Sequence, residues 1–393
     1  MTAGTSRRPP DDQARIRQAF EPVVRQFESY LDDPSYSGQL AVYWRGELAL
    51  NLAGGRLSTG TLTGLLSAGK GIAGLCVGEL VQSGELNLDE PVAHYWPEFA
   101  HNGKRSITVR QALTHRAGVV SIPGGFTSAD LANGWPARQR LATASPQWQP
   151  GSVHGYHALT IGMLIEELFL RIRGITFQEH YRDEYLPLTS GNLYFGLPAS
   201  EDGRYLPIEP PTLTAEQQVE QSAQPPREPE SIAGWSFNRH ARNGDGTPVD
   251  LSPNDVAIRR FGGVGHAGVG NALGLASAYA HFVTGVGGQQ PRLTSATLSE
   301  IGMTHSWGTD AVLGAESAFA VVFMKPSRRV PFGSHRAVGH DGAGGALGFA
   351  DPEFDLAVGY VPHPQQFPGG ADDRILELAK TLRDAVRTTA EQS

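Results

Sequence analysis

The sequence predicts a mixed α/β (α+β) protein of two interlocked lobes, and three observations carry that expectation. Helix-periodic apolar stripes stand at both chain ends, strand-like apolar runs lie just inside them, and a long middle of helical patterns and glycine-rich turns separates the two. At the first end, DQARIRQAFEPVVRQFESYL (12–31) sets Ile16, Phe20, Val23, Phe27 and Leu31 three or four residues apart on one helix face, with Pro22 as a point of kinking. GQLAVYWRGELALNLAGG then gives two apolar runs, Leu40–Trp44 and Leu48–Leu52, joined by Arg45-Gly46-Glu47 as in an antiparallel hairpin. AFAVVFM, GGALGFA and DLAVGYV repeat the strand signal late in the chain, and DDRILELAKTLRDAVRTT closes it on a helical pattern. The two ends, 12–60 and 318–393, are expected to meet in a sheet lobe and 61–317 to form a mostly helical lobe, within one elaborated domain and with a cleft between the lobes.

Composition narrows the function classes. A net charge of −8 without a basic, aromatic-interleaved cluster excludes nucleic acid as an expected partner. No apolar run reaches the roughly 20 residues of a membrane helix, and MTAGTSRRPPDDQ has no apolar stretch behind its arginines, so a cytoplasmic setting off the membrane is expected. Cys76 is the single cysteine, which excludes an internal disulfide, and its apolar helical surroundings predict plain packing. The 13 histidines form no H-E-x-x-H, so neither a metal nor any other cofactor is expected. No G-x-S-x-G elbow or Walker loop occurs either.

Chemistry enters at Ser67-Ala68-Gly69-Lys70, a serine at a helix start with a lysine one turn on and on the same face. The positive end of the helix dipole and burial both disfavour an ammonium there, so Lys70 can be held neutral and take the serine's proton, while the Ser67 N–H faces a developing oxyanion. By itself the pattern is a weak signal, since a capping serine followed by a surface lysine is commonplace. Residues 199–253, polar and proline-rich, read as a long loop covering the cleft or as a surface insertion without function. As a cover, its removal is expected to spare acylation of a small ester and to change how the acyl group divides between water and an amine.

Four blocks in order, LLSAGKGIAGLCVGELVQSGELNLDEPVAHYWPEF, ITVRQALTHRAGV, WQPGSVHGYHALTIG and VGHDGAGGALGFADP, make the chain resemble the serine β-lactamase-like superfamily, above all its family VIII carboxylesterases. The resemblance implies a five-stranded antiparallel sheet flanked by the terminal helices. It assigns Ser67 as nucleophile, Lys70 as base and Tyr156 as the tyrosine that exchanges protons with the serine and the leaving group. A phenol with an ordinary pKa near 10 needs a cation to ionise, and Lys70 is the expected one. His340-Asp341-Gly342-Ala343 stands where β-lactamases carry Lys-Thr-Gly. Ala343 N–H is there the second oxyanion donor, Gly342 lets substrate lie close, and His340 either polarises substrate or tyrosine or pairs structurally with a strand carbonyl. Trp148 and His157 are candidate substrate contacts. His115 is expected to secure a turn and Asn271 to cap a helix.

Two departures bear on substrate. Ala158 replaces the asparagine of Tyr-x-Asn, and His340 replaces a permanently charged lysine, so grip on a carboxylate-bearing β-lactam or peptide is weakened. The expected function is therefore a serine acyl hydrolase or transacylase acting on a small ester or amide, with water, an amine or an alcohol as acceptor. The competing readings are a β-lactamase or D-Ala-D-Ala peptidase, and a binding module that keeps the fold without turnover.

Overall fold

The computed structural model describes residues 18–223 and 228–391. Ile16 and the start of the expected first helix lie outside them. Helix α1, Glu21–Tyr30, buries Val23 and Phe27. Pro22 does not kink it, because the regular helix begins at Glu21 and the proline falls in the first turn, where a missing N–H breaks no intrahelical bond. Strands β1, Ser37–Trp44, and β2, Glu47–Gly54, form the expected hairpin. Its turn is the two-residue Arg45-Gly46, both at positive φ, a geometry whose twist matches the strands.

Helix α2, Ala68–Gln82, carries Lys70 and Cys76; α3, Thr160–Arg173, follows Tyr156; α4 is Ala272–Tyr279. The chain returns to the sheet through β3, Val338–Asp341, β4, Leu347–Asp351, and β5, Leu356–His363, and ends on α5, Asp373–Glu391. These strands make one antiparallel five-stranded sheet in the order β2-β1-β5-β4-β3, so the two chain ends meet at its centre.

Strand alternation builds a different core on each face. Leu40, Val42 and Trp44 of β1 and Leu356, Val358 and Tyr360 of β5 join Val23, Phe27, Ile375, Leu378 and Leu382 of the terminal helices. Ala41, Ala357 and Val361 face the helical lobe, where the core includes Cys76, Phe99, Leu164 and Phe169. Each such Leu, Ile, Val or Phe contributes about 1.5–3 kcal/mol by leaving water. Small residues on the second face let α4 lie directly on the sheet. A Cβ at Gly359 would fall 2.1 Å from the Ala272 carbonyl oxygen, and one at Gly348 would fall 2.8 Å from the Tyr279 ring.

AFAVVFM is not one continuous strand. Ala318 and Phe319 end the strand Glu316–Phe319, paired with Ser306–Thr309, and Met324 then bridges Gly339 at the edge of β3, its N–H donating to the Gly339 carbonyl at 2.8 Å. Between the two the chain turns through Val322 at φ 69, whose N–H donates to the Leu113 carbonyl at 2.7 Å, so contact with the helical lobe overrides β propensity. Nor is 199–253 a plain loop. It contains a 3-10 turn, Ala199–Arg204, and helices Ala215–Ala223 and Ile232–Ser236. Asn271 caps α4 by accepting the Gly274 N–H at 2.9 Å, and His115 occupies a turn at φ 62.

Candidate active site

Ser67 sits on a strained corner. Leu66 before it has φ 50, a left-handed conformation costly for a leucine, and α2 starts directly after it with Ser67 as the preceding residue. The corner is held by Leu65 N–H on the Gly268 carbonyl at 2.9 Å and by Ala68 N–H on the Leu65 carbonyl at 3.1 Å. Ser67 stays half-buried, whereas Lys70 has no accessible surface. The Lys70 Nζ donates to Ser67 Oγ at 2.8 Å and to the Gly265 carbonyl. Burial lowers the amine to about 7, with the Asp341 charge opposing the fall. An amine at about 7 is partly free base near neutral pH, and a free amine has a lone pair able to accept a proton.

The Tyr156 ring lies 5.2 Å from Lys70 Nζ, and the Ser67 side chain is near enough to its phenol to oppose the rise that burial causes. The ring stacks on Phe319 at 5.8 Å and flanks Phe237 at 6.1 Å. The surroundings of the phenol oppose ionisation. Burial dominates and raises the phenol well above its ordinary value, the Ser67 side chain lowers it, and Asp341 and Asp310 raise it further. An uncharged tyrosine beside a partly uncharged lysine avoids the cost of two buried charges.

Gly342 packs on the corner, since a Cβ there would fall 2.4 Å from the Leu65 carbonyl oxygen and 3.4 Å from Ala68 N. Ala343, the next residue, is exposed. Among the described residues neither the Ser67 N–H nor the Ala343 N–H has a hydrogen-bond acceptor.

Three further expected site residues pack around Tyr156 and its loop. His340 is fully buried and held neutral, its ring lowered to about 3 by burial and then by the Lys70 charge. Its Nδ1 donates to the Asp341 carbonyl at 2.8 Å, the structural pairing with a strand carbonyl that the sequence left open, and its ring packs 5.9 Å from that of Tyr156. His157 has no accessible surface to offer a ligand: burial lowers it to about 4 and its Nδ1 donates to the Gly155 carbonyl at 2.7 Å. Trp148 packs edge-on against it at 5.7 Å. Both serve to support the loop before Tyr156.

Two residues without a sequence signal touch that loop. Asp310, fully buried, accepts the Tyr156 N–H at 3.0 Å. Ser236, in the stretch read as a cover, accepts the Ala158 N–H at 3.1 Å and donates to the Tyr156 carbonyl. The same stretch helps line a cavity of about 440 Å³ through Glu230, Trp235 and His240, opposite Ser121, Ile122 and Gln147. Among the described residues no cluster of His, Cys, Asp or Glu is placed to hold a metal, and no helix is long and apolar enough to cross a membrane.

The sequence model of the Beta-lactamase family matches residues 24–382. Among solved structures, the chain is similar to EstA from Arthrobacter nitroguajacolicus Rue61a, with 41% identity and a TM-score of 0.86 over 95% of this chain and 98% of that one. It is also similar to a family VIII carboxylesterase, with 25% identity and a TM-score of 0.78 over 96% and 98%. Among curated proteins, Esterase/beta-lactamase LipL of Mycobacterium tuberculosis is 32% identical over 221 residues, 53% of this chain and 49% of LipL. The chain thus spans about half the length of that relative. With the match running nearly end to end and the five-stranded sheet closed by both termini, the chain belongs to the Beta-lactamase family.

Proposed function

We propose that the protein is a serine esterase that hydrolyses small, uncharged esters through an acyl-enzyme on Ser67. The observation that carries this reading is the 2.8 Å contact between Ser67 Oγ and a fully buried Lys70 whose amine is lowered to about 7. Neutral Lys70 takes the Ser67 proton as Oγ attacks the carbonyl carbon, and the carbonyl electron pair moves onto oxygen between the Ser67 and Ala343 N–H groups. Collapse expels the alkoxide, which takes the Tyr156 proton, and Tyr156 regains one from the Lys70 ammonium. Water repeats the sequence on the acyl-enzyme, with Lys70 again the base. The kinship with EstA and a family VIII carboxylesterase supports an ester as substrate.

Ala158 offers no amide donor and the buried, neutral His340 no fixed cation, which disfavours a carboxylate-bearing β-lactam. The test compares p-nitrophenyl acetate with a chromogenic cephalosporin on one sample, with and without an added amine. Ester hydrolysis with kcat/KM at least about 100-fold above the cephalosporin is expected. Preferential turnover of the cephalosporin, or no ester turnover, would contradict the proposal, and amide product would identify an acyltransferase.

A further inference from the structure

The backbone of Tyr156 is held at both ends by side chains remote in sequence. Its N–H donates to Asp310 Oδ1 at 3.0 Å, and its carbonyl accepts the Ser236 hydroxyl, whose oxygen in turn accepts the Ala158 N–H at 3.1 Å. Asp310 is itself fixed, accepting the Val312 N–H at 2.8 Å, the Leu313 N–H at 2.9 Å and the Ser317 hydroxyl at 3.1 Å. Ser236 has no accessible surface and ends the short helix Ile232–Ser236, whose start is capped by Ser231 accepting the Gly234 N–H at 3.0 Å. Two residues on, Asn238 bonds both backbone groups of Phe126, accepting its N–H and donating to its carbonyl, each at 2.8 Å. The helix is thus anchored to the helical lobe independently of Tyr156.

From this geometry we infer that Ser236 is a positioning residue for proton transfer by Tyr156, so that the 231–238 stretch belongs to the catalytic framework. The inference rests on the proposed role of Tyr156. The phenol is uncharged and must hand its proton to a leaving oxygen, a step sensitive to errors well under 1 Å in where the hydroxyl sits. A rigid backbone on both sides of Cα sets that position, because the ring's only remaining freedoms are its two side-chain torsions, and these are restricted by Phe319 and Phe237. Ser236 is the one group seen here to satisfy both the Tyr156 carbonyl and the Ala158 N–H. Losing its oxygen leaves both buried groups unpaired and frees the loop to shift.

The role predicts a leaving-group signature. Expulsion of an alkoxide needs Tyr156 as acid, whereas p-nitrophenolate leaves without one. Ser236→Ala should therefore lower kcat on an alkyl acetate by about 10- to 100-fold, lower kcat on p-nitrophenyl acetate by no more than about threefold, and leave KM for both nearly unchanged. Ser236→Cys, close in size and still able to donate, should recover part of the loss. The deciding experiment is a double-mutant cycle with Tyr156→Phe on the alkyl ester. If Ser236 acts through the tyrosine, Ser236→Ala costs nothing further once the hydroxyl is gone. Equal losses on both esters, or full additivity in the cycle, would overturn the inference while leaving Tyr156 in place. Near-wild-type Tyr156→Phe would overturn the role of Tyr156 and the inference with it.

Discussion

Lys70→Ala should reduce the acylation rate by about 10² to 10⁴-fold, the usual yield of a positioned acid–base group. The loss follows from the lysine's position, since its Nζ contacts Ser67 Oγ from a site with no accessible surface. Wild-type kcat/KM should rise with pH through a midpoint near the Lys70 value of about 7, because the ammonium below it has no lone pair for the serine proton. Lys70→Ala should lack that limb. The same burial makes an independent statement about stability. The folded amine titrates near 7 against roughly 10.4 unfolded, so between these values the unfolded chain binds more protons and wild-type stability rises with pH. Lys70→Met, which removes the buried amine and keeps the volume, should melt higher than wild type at pH 7, and the gap should narrow toward pH 10. A variant that melted lower at pH 7, or an unchanged pH limb in Lys70→Ala, would show that this amine is not the titrating base.

Replacing residues 231–238 by a glycine-serine linker of equal length should cut turnover of an alkyl acetate, which needs Tyr156 as acid, by about 100-fold or more, because the Tyr156 and Ala158 backbone groups and both Phe126 bonds lose partners together. Replacing helix Ala215–Ala223, none of whose residues is buried, should change the rate by no more than about twofold. This contrast reverses the expectation drawn from a cover that acylation would survive loss of the whole 199–253 stretch. Initial-rate measurements on the two variants, with folding checked by circular dichroism, distinguish the cases. Equal, small effects would restore the cover.

What was legible in the sequence follows physical range. The hairpin across Arg45-Gly46, the α2 start at Ser67 and the serine-to-lysine spacing depend on neighbours within one turn, and local pattern shows them. Tyr156 comes from block resemblance alone, and the ring lies 5.2 Å from Lys70 Nζ. The rest depends on long-range contacts. Val322 takes a left-handed turn because of a carbonyl on the other lobe. Which of its two readings His340 takes also depends on distant packing: α2 buries it, its Cβ lying 3.2 Å from where a Gly71 Cβ would stand, and leaves it bonded to the Asp341 carbonyl. Ser236 lies 80 positions from Tyr156, in a five-residue helix too short for any apolar period. The burial of Tyr156, which raises its phenol, depends on the same long-range packing and has no local sequence signal.

The central claim is that Ser67 is the acylated nucleophile, and intact-mass analysis after treatment with a fluorophosphonate probe tests it most directly. The wild type should gain one phosphonyl adduct, mapped by peptide digestion to Ser67, and Ser67→Ala should gain none under the same conditions. Labelling of Ser67→Ala at the wild-type rate, or an adduct mapped to another residue, would contradict the account.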